Sequence, residues 1–330
     1  MSAAALPSAP SRLLGADGAP AFGRYQGIAD SIDWRPLARG PWQKLQHRLH
    51  HKRWQYAAFA HSRFFIACAV VDVGWTGAAF AYVFDRQQGQ VAAAASVSGL
   101  PGLPARVDDA AFGDASFARG ARRFAFRRDG GSLRLTVHSP ELRLEAEISL
   151  QKAPPVLLAV APANYLAHST HKSGGLTASG RAYAAGNSYR LDQAVASLDY
   201  SNGLLARETR WRWASAHGRE LGFNLQQGYM GAAENALWLD GRLFPVGEVS
   251  FDYQPDAPLQ PWRIRSQDGL VDLLFTPEGA RREDKDLLIA MSRYVQPIGR
   301  FDGALIRPDT GQSIPVEHLL GVTEDHVSRW

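Results

Sequence analysis

Cysteine is nearly absent: Cys68 stands alone among 330 residues. No disulfide can close within the chain and no Cys-based zinc site can form, so a reducing compartment, the cytoplasm, is the expected setting. Long apolar runs are missing as well. Nothing approaches the ~20 uninterrupted apolar residues of a spanning helix, so no integral membrane segment is expected. The start, Met1 to Pro7, has no basic n-region, and Pro7 interrupts its apolar run before a signal core is complete. Excess charge is small, 36 Lys+Arg against 32 Asp+Glu for a net +4. That balance does not call for nucleic acid as a partner. Also missing are a Gly-rich phosphate loop ending in Gly-Lys-Ser/Thr, a dinucleotide fingerprint, a Gly-x-Ser-x-Gly elbow and a His-Glu-x-x-His pair, which removes the common nucleotide-dependent and hydrolytic chemistries. No cofactor is expected.

What is present reads as β structure. With 31 Gly and 19 Pro the chain has many turns, and its 45% apolar content can fill real cores. Phe124 and Phe126 alternate with Arg, Asp129-Gly130-Gly131 turns, and Leu133, Leu135 and Val137 alternate with polar partners. After Ser139-Pro140, Leu142, Leu144, Ala146, Ile148 and Leu150 alternate strictly with charged residues and Ser149. Such period-two runs joined by tight turns describe an antiparallel sheet with one wet face. The run from Phe64 is apolar throughout to Val71, with Cys68 as a small packing residue within it. One helix is expected, in the basic stretch Trp42 to Arg53, where Leu45 and Leu49 lie four apart. The fold class is therefore all-β with a minor helix, in two antiparallel halves. Residues 1–40 read as a partly flexible arm, 41–165 as a first β domain and 166–330 as a second. The boundary falls in 152–176, where Pro154-Pro155 and the polar, Gly-containing stretch from His168 to Gly175 break the pattern.

Chemistry-bearing residues concentrate in three places. His47, His50 and His51 share a helix face, but without an acidic ligand among them they read as a solvated basic face, and no metal site is assigned. His168, His171 and Lys172 lie in the expected inter-domain stretch, where a surface loop is the plainer reading. The block from Asp199 to Trp238 is the densest. Trp211 and Trp213 share one strand face opposite Glu208, Arg210 and Arg212. If Asp199, Glu208, Asn224, Glu234 and Asn235 converge, they supply an acid, a base and orienting donors. If not, they satisfy turns and strand edges.

The spelling of these segments resembles the bacterial family named for the domain DUF2804. The carriers are Lys52-Arg53-Trp54-Gln55-Tyr56, Val71-Asp72-Val73-Gly74, Leu198-Asp199-Tyr200, Thr209 to Ala216, Gly222-Phe223-Asn224-Leu225 and Glu234 to Trp238. Others follow: Trp262-Arg263-Ile264, Asp272 to Pro277, Gly299 to Gly303, and the ending Gly321 to His326 and Trp330. Trp75 stands where relatives tend to have Tyr. The resemblance implies two lipocalin-like barrels or sandwiches packed together, similar in fold to the AttH and carotenoid hydratase group; the family name carries no activity. On that scaffold the first expectation is a protein that binds a hydrophobic small molecule or lipid in a barrel pocket. The second is a cofactor-independent hydratase, isomerase or cyclase with Glu234 and Asp199 as its acid–base groups. The third is a structural or interaction protein that docks through the Trp42 to Arg53 helix. Ligand contacts are expected from Trp211, Trp213, Asn224, Asn235, Trp238 and Lys172. A carrier needs an apolar cavity with few neutral polar groups, whereas an enzyme needs a buried carboxylate with a perturbed pKa.

Overall fold

A computed structural model describes residues 5–287 and 290–329. Its named strands form two antiparallel sheets. The first runs, in spatial order, through Gln90–Ser98, Gly77–Asp85, Phe64–Asp72, His51–His61, Val195–Leu204, Ala167–Ala184, Leu142–Ser149, Ser132–His138, Arg122–Asp129, Ala115–Arg119 and Arg106–Val107. Leu157–Ala161 and Asn187–Arg190 pair with the long strand Ala167–Ala184, and Gly23–Gln26 pairs with Leu157–Ala161. The second sheet runs Arg242–Pro245, Ala236–Leu239, Leu221–Gly228, Glu208–His217, Ser313–Arg329, Ala290–Ile306, Val271–Leu287, Trp262–Ser266 and Val249–Asp252. Each sheet curls: Ala115–Arg119 lies over Phe64–Asp72, and Val249–Asp252 over Leu221–Gly228.

The two curls are filled, not hollow. Ala57, Phe59, Ile66, Cys68, Val70, Phe124, Phe126, Leu133, Leu135 and Tyr200 belong to one core, and Ala214, Phe223, Leu225, Trp262, Phe275 and Phe301 to the other. Burial pushes the Cys68 thiol up, away from reactivity. A strand in the middle of this architecture has no wet face. On His51–His61, Ala57 and Phe59 enter the first core while Tyr56 and Ala58 face the second sheet, where they meet Trp213, Ile298, Leu320 and Val322. This double burial explains the unbroken apolar run from Phe64. By contrast, the charged positions of 122–149 alternate outward and leave one face wet.

Three expectations need correction. The chain passes from one sheet to the other at 205–207, not at 165–166, because Ala167–Ala184 and Val195–Leu204 complete the first sheet. His168 to Gly175 is no loop: it lies inside the 18-residue strand Ala167–Ala184, with His168 and His171 fully buried and a bulge between Ser173 and Leu176. Within the arm, part of the chain is built into the first core. Leu13, Ile32 and Trp34 are buried, and the Trp34 indole donates to the Asn202 carbonyl at 3.1 Å.

The helix is Pro41–His50, with Pro41 at its first position. It stops short of Arg53 because the Lys52 side chain turns back, its ammonium donating to the carbonyls of Leu49 at 2.6 Å and Val73 at 2.7 Å, and the chain continues as a strand. Among the described residues no helix is long and apolar enough to cross a membrane.

Candidate functional site

Where the outer faces of the two sheets meet, they leave a cavity. Its floor is one cross-strand row of the first sheet: Lys172 opposite Asp199, Asp199 opposite Tyr56, Tyr56 opposite Ala69, and Ala69 opposite Phe80. Trp54 and Val71, also a cross-strand pair, extend it. The roof is two rows of the second sheet, Gln226–Trp213–Glu324 and Trp211–His326–Tyr294. Every one of these side chains lines the cavity because strand periodicity puts alternate residues on one face. The volume is about 130 Å³, where a single water needs roughly 10–15 Å³. There is room for part of a small molecule.

Chemistry is concentrated on two walls. On one, the Lys172 ammonium lies 2.6 Å from Asp199 and 3.0 Å from Glu234, with Lys172 and Glu234 both buried. Glu234 arrives from a short 3-10 turn, Gly231–Glu234, that follows the strand Leu221–Gly228. Burial pushes its carboxyl up; the charge of Lys172 opposes this and that of Asp199 adds to it. Burial also works against the Lys172 charge, but Asp199 and Glu234 outweigh it and hold the ammonium above the ordinary lysine value. On the other wall, Glu324 accepts from the Trp211 indole at 2.9 Å and the Gln296 amide at 2.7 Å, and lies 3.3 Å from His326 Nδ1. The Tyr82 hydroxyl donates to Gln296 at 2.5 Å, supporting that wall from behind. Tyr229 stands between the walls: burial, then the charges of Glu234, Asp199 and Glu324, push its hydroxyl pKa up.

Three side chains around the cavity carry buried polar atoms without a hydrogen-bonding partner among the described residues: Tyr56 at its hydroxyl, Gln226 at both side-chain amide atoms and Tyr294 at its hydroxyl. An unpaired buried donor or acceptor costs about 1–3 kcal/mol. Three around one space give the cavity a lining that is polar as well as apolar.

The structure brings Asp199, Glu234, Lys172, Trp211 and Trp213 together at this cavity. It does not bring Asn224, Asn235 or Trp238 there. Asn224 accepts from the Trp213 indole at 2.8 Å and donates to the Glu234 carbonyl at 2.9 Å, and so fixes two residues that do line it. Asn235 accepts from the Gln226 backbone N–H at 2.6 Å and donates from its side chain to the Gly247 carbonyl at 2.9 Å, locking the turn. Trp238 donates to the Pro155 carbonyl at 2.7 Å and packs on His217. Glu208 is exposed at the start of its strand. The expected barrel pocket is likewise displaced: the cavity lies between the sheets because each curl is filled by its own core. Sequence reasoning missed Glu324, His326, Gln296, Tyr56 and Tyr229. Family spelling marked the ending Gly321 to His326, and nothing local paired it with Trp211. The His47, His50 and His51 trio is divided, with His50 bonded to the Leu205 carbonyl and His51 to Asn202.

The profile of one family, "Domain of unknown function (DUF2804)", matches residues 6–330. A comparison with curated proteins finds no match in sequence. Two solved structures share the fold. One is a candidate AttH from Nitrosomonas europaea, at 14% identity and a TM-score of 0.54 over 84% of this chain and 92% of that one. The other is kievitone hydratase from Nectria haematococca, at 7% identity and a TM-score of 0.53 over 84% of this chain and 88% of that one.

Proposed function

We propose, from the premise that this chain belongs to the DUF2804 family, that it binds a hydrophobic small molecule carrying polar groups between its sheets and acts on it by proton transfer, as a hydratase, isomerase or cyclase does. The observation that carries this reading is Glu234: a buried carboxyl, raised toward its protonated form, in a cavity lined with aromatic rings. A carrier has no use for a buried ion cluster, whose desolvation costs several kcal/mol per charge. That one neighbour in fold is a hydratase agrees with the reading but does not carry it.

In this reading Glu234 is the general acid, and Lys172 and Asp199 hold its carboxyl in place. Trp54, Phe80, Trp211 and Trp213 bind the apolar body, while Gln226, Tyr56 and Tyr294 take its polar groups. His326, held by Glu324, stands where it can accept a proton on the opposite wall. For hydration of a double bond, the Glu234 proton goes to one carbon and the water oxygen bonds the other. The proton that water sheds goes to His326, and the two walls are reset by exchange with solvent.

Native mass spectrometry of gently purified protein, wild type against Glu234→Gln, tests this. The variant keeps the cavity's shape and removes the titrating proton. The expected result is a retained hydrophobic ligand in both. In the variant it should be the unconverted compound, which differs from the wild-type ligand by the mass of one water for a hydratase or in connectivity for an isomerase or cyclase. The same ligand, unaltered, in both proteins would leave a carrier.

A further inference from the structure

The helix Pro41–His50 presents the opposite face from that of a helix packed on a core. Trp42, Leu45 and Leu49, at i, i+3 and i+7, form one stripe. Their exposures are 69%, 49% and 50%. The polar residues Gln46, His47 and His50 are the ones turned inward: His50 Nδ1 lies 2.6 Å from the Leu205 carbonyl oxygen, and its ring stacks on Tyr165 with centroids 4.3 Å apart. No residue of this helix is buried.

The stripe continues beyond the helix. The turn at Gly74 is pressed against the helix end, so closely that a Cβ there would fall 2.2 Å from the Arg48 carbonyl oxygen. The Gly102 amide donates to the Trp75 carbonyl at 2.8 Å, which seats the 99–103 loop beside that turn with Leu100 and Leu103 each more than half exposed. On the other side of the helix Tyr165 and Leu166 are exposed too.

Cations without an ionic partner lie along this face. Arg39, Lys44 and Arg48 are exposed, and none makes an ion pair among the described residues. The two carboxylates in the cleft beside Lys44 and Arg48 are taken, Asp33 by Arg35 and Asp109 by Arg53.

We propose that this face docks the protein on an anionic lipid bilayer. Apolar exposure alone would fit many partners, but a Trp and leucines flanked by unpaired cations fit one that offers hydrocarbon beneath a negatively charged surface. The location also makes sense, since Trp54 lines the cavity only a few residues beyond the helix–strand junction at His51, and its cross-strand partner Val71 lines it too. The inference stands on the helix and does not depend on the proton-transfer reading of the cavity.

Sedimentation of the full chain with phosphatidylcholine vesicles, with and without one-third phosphatidylglycerol, tests it. The wild type should partition onto the anionic vesicles at least about tenfold more strongly than onto neutral ones, and raised salt should weaken the binding. Trp42→Ser/Leu45→Ser/Leu49→Ser and Lys44→Glu/Arg48→Glu should each lower it about tenfold or more, while circular dichroism shows the fold unchanged. The exposed pair Arg123→Glu/Arg219→Glu, with the same change in net charge, should bind as the wild type does. Failure of the wild type to sediment, unchanged binding by either helix variant, or equal loss in the Arg123/Arg219 control would overturn the proposal. So would a lipid-free dimer that the triple variant abolishes, which would make the face a protein interface.

Discussion

Removing the Lys172 ammonium would leave Asp199 and Glu234 facing each other with no buried cation to offset them. Breaking a buried ion cluster in this way costs about 3–5 kcal/mol, so Lys172→Met should lower unfolding stability by that much at pH 7. The sign with pH follows from Glu234. Its folded carboxyl is already raised by burial, and without Lys172 it rises further. A raised carboxyl adds stability below its unfolded value and loses it as pH rises through the folded one. The deficit of Lys172→Met relative to wild type should therefore shrink between pH 7 and pH 5, which urea unfolding at the two values measures; an undiminished deficit would mean that Glu234 does not take up the proton. The same rise sets the activity profile expected of an acid. Turnover should be present on the acidic side and fall as pH rises through the Glu234 pKa, above the ordinary 4.5, and Glu234→Gln should remove that limb together with the activity.

The strand Ala167–Ala184 carries buried imidazoles that a sheet interior can hold only in neutral form. Burial pushes His168 and His171 down to about 3, and does the same to His217 in the strand Glu208–His217. Their unfolded value is 6.5, so each contributes stability above that pH and loses it as pH falls toward 3, at about 2 kcal/mol per histidine by pH 5. Chemical unfolding followed from pH 7 to pH 5 should show a steep, multi-proton loss. A flat profile would mean that these rings reach water. The bulge in the same strand has a second consequence. Gly174 and Gly222 enclose the His217 ring, and a Cβ at Gly174 would fall 2.1 Å from it. Gly174→Ala should then destabilise by about 1–3 kcal/mol through overpacking, and His217→Ala in the same chain should recover part of the loss. Simple additivity in that double-mutant cycle would show that the two positions do not touch.

At the scale of the molecule, the two sheets are joined by a cluster that belongs to neither core: Tyr56, Phe65, Tyr82 and Phe84 against Trp213, Ile298, Leu320 and Val322. Arg86 reinforces the junction with two hydrogen bonds to Glu278 across the sheets, at 2.7 and 2.6 Å. Calorimetry should accordingly give one cooperative transition, since neither half can unfold without exposing the other's apolar face. Two separated transitions would refute the coupling. The cavity lies in this same junction, so a bound ligand should raise the transition temperature of the whole molecule.

Much of the fold was legible in order along the chain. Alternation in 122–149 marked a sheet with one wet face, the apolar run from Phe64 marked a strand, and turns at Asp240-Gly241 and Asp268-Gly269 punctuated the second half. Those are local signals, because strand period and turn conformation depend on neighbouring residues. Residue spelling also identified the family. Of the site, the Asp199–Trp238 block held Glu234, Trp211 and Trp213, but local reading could not separate them from Asn224, Asn235 and Trp238, which have the same polar or aromatic character and brace the walls instead. What decided between them was register. Lys172 meets Asp199 and Tyr56 only because three strands distant in sequence align in one row, and Glu324 and His326 meet Trp211 only because the last strand returns beside Glu208–His217. The helix shows the same division. Its residues announced an amphipathic element, but only packing revealed that the apolar stripe faces outward, since the hydrophobic pattern of a helix does not state what will cover it.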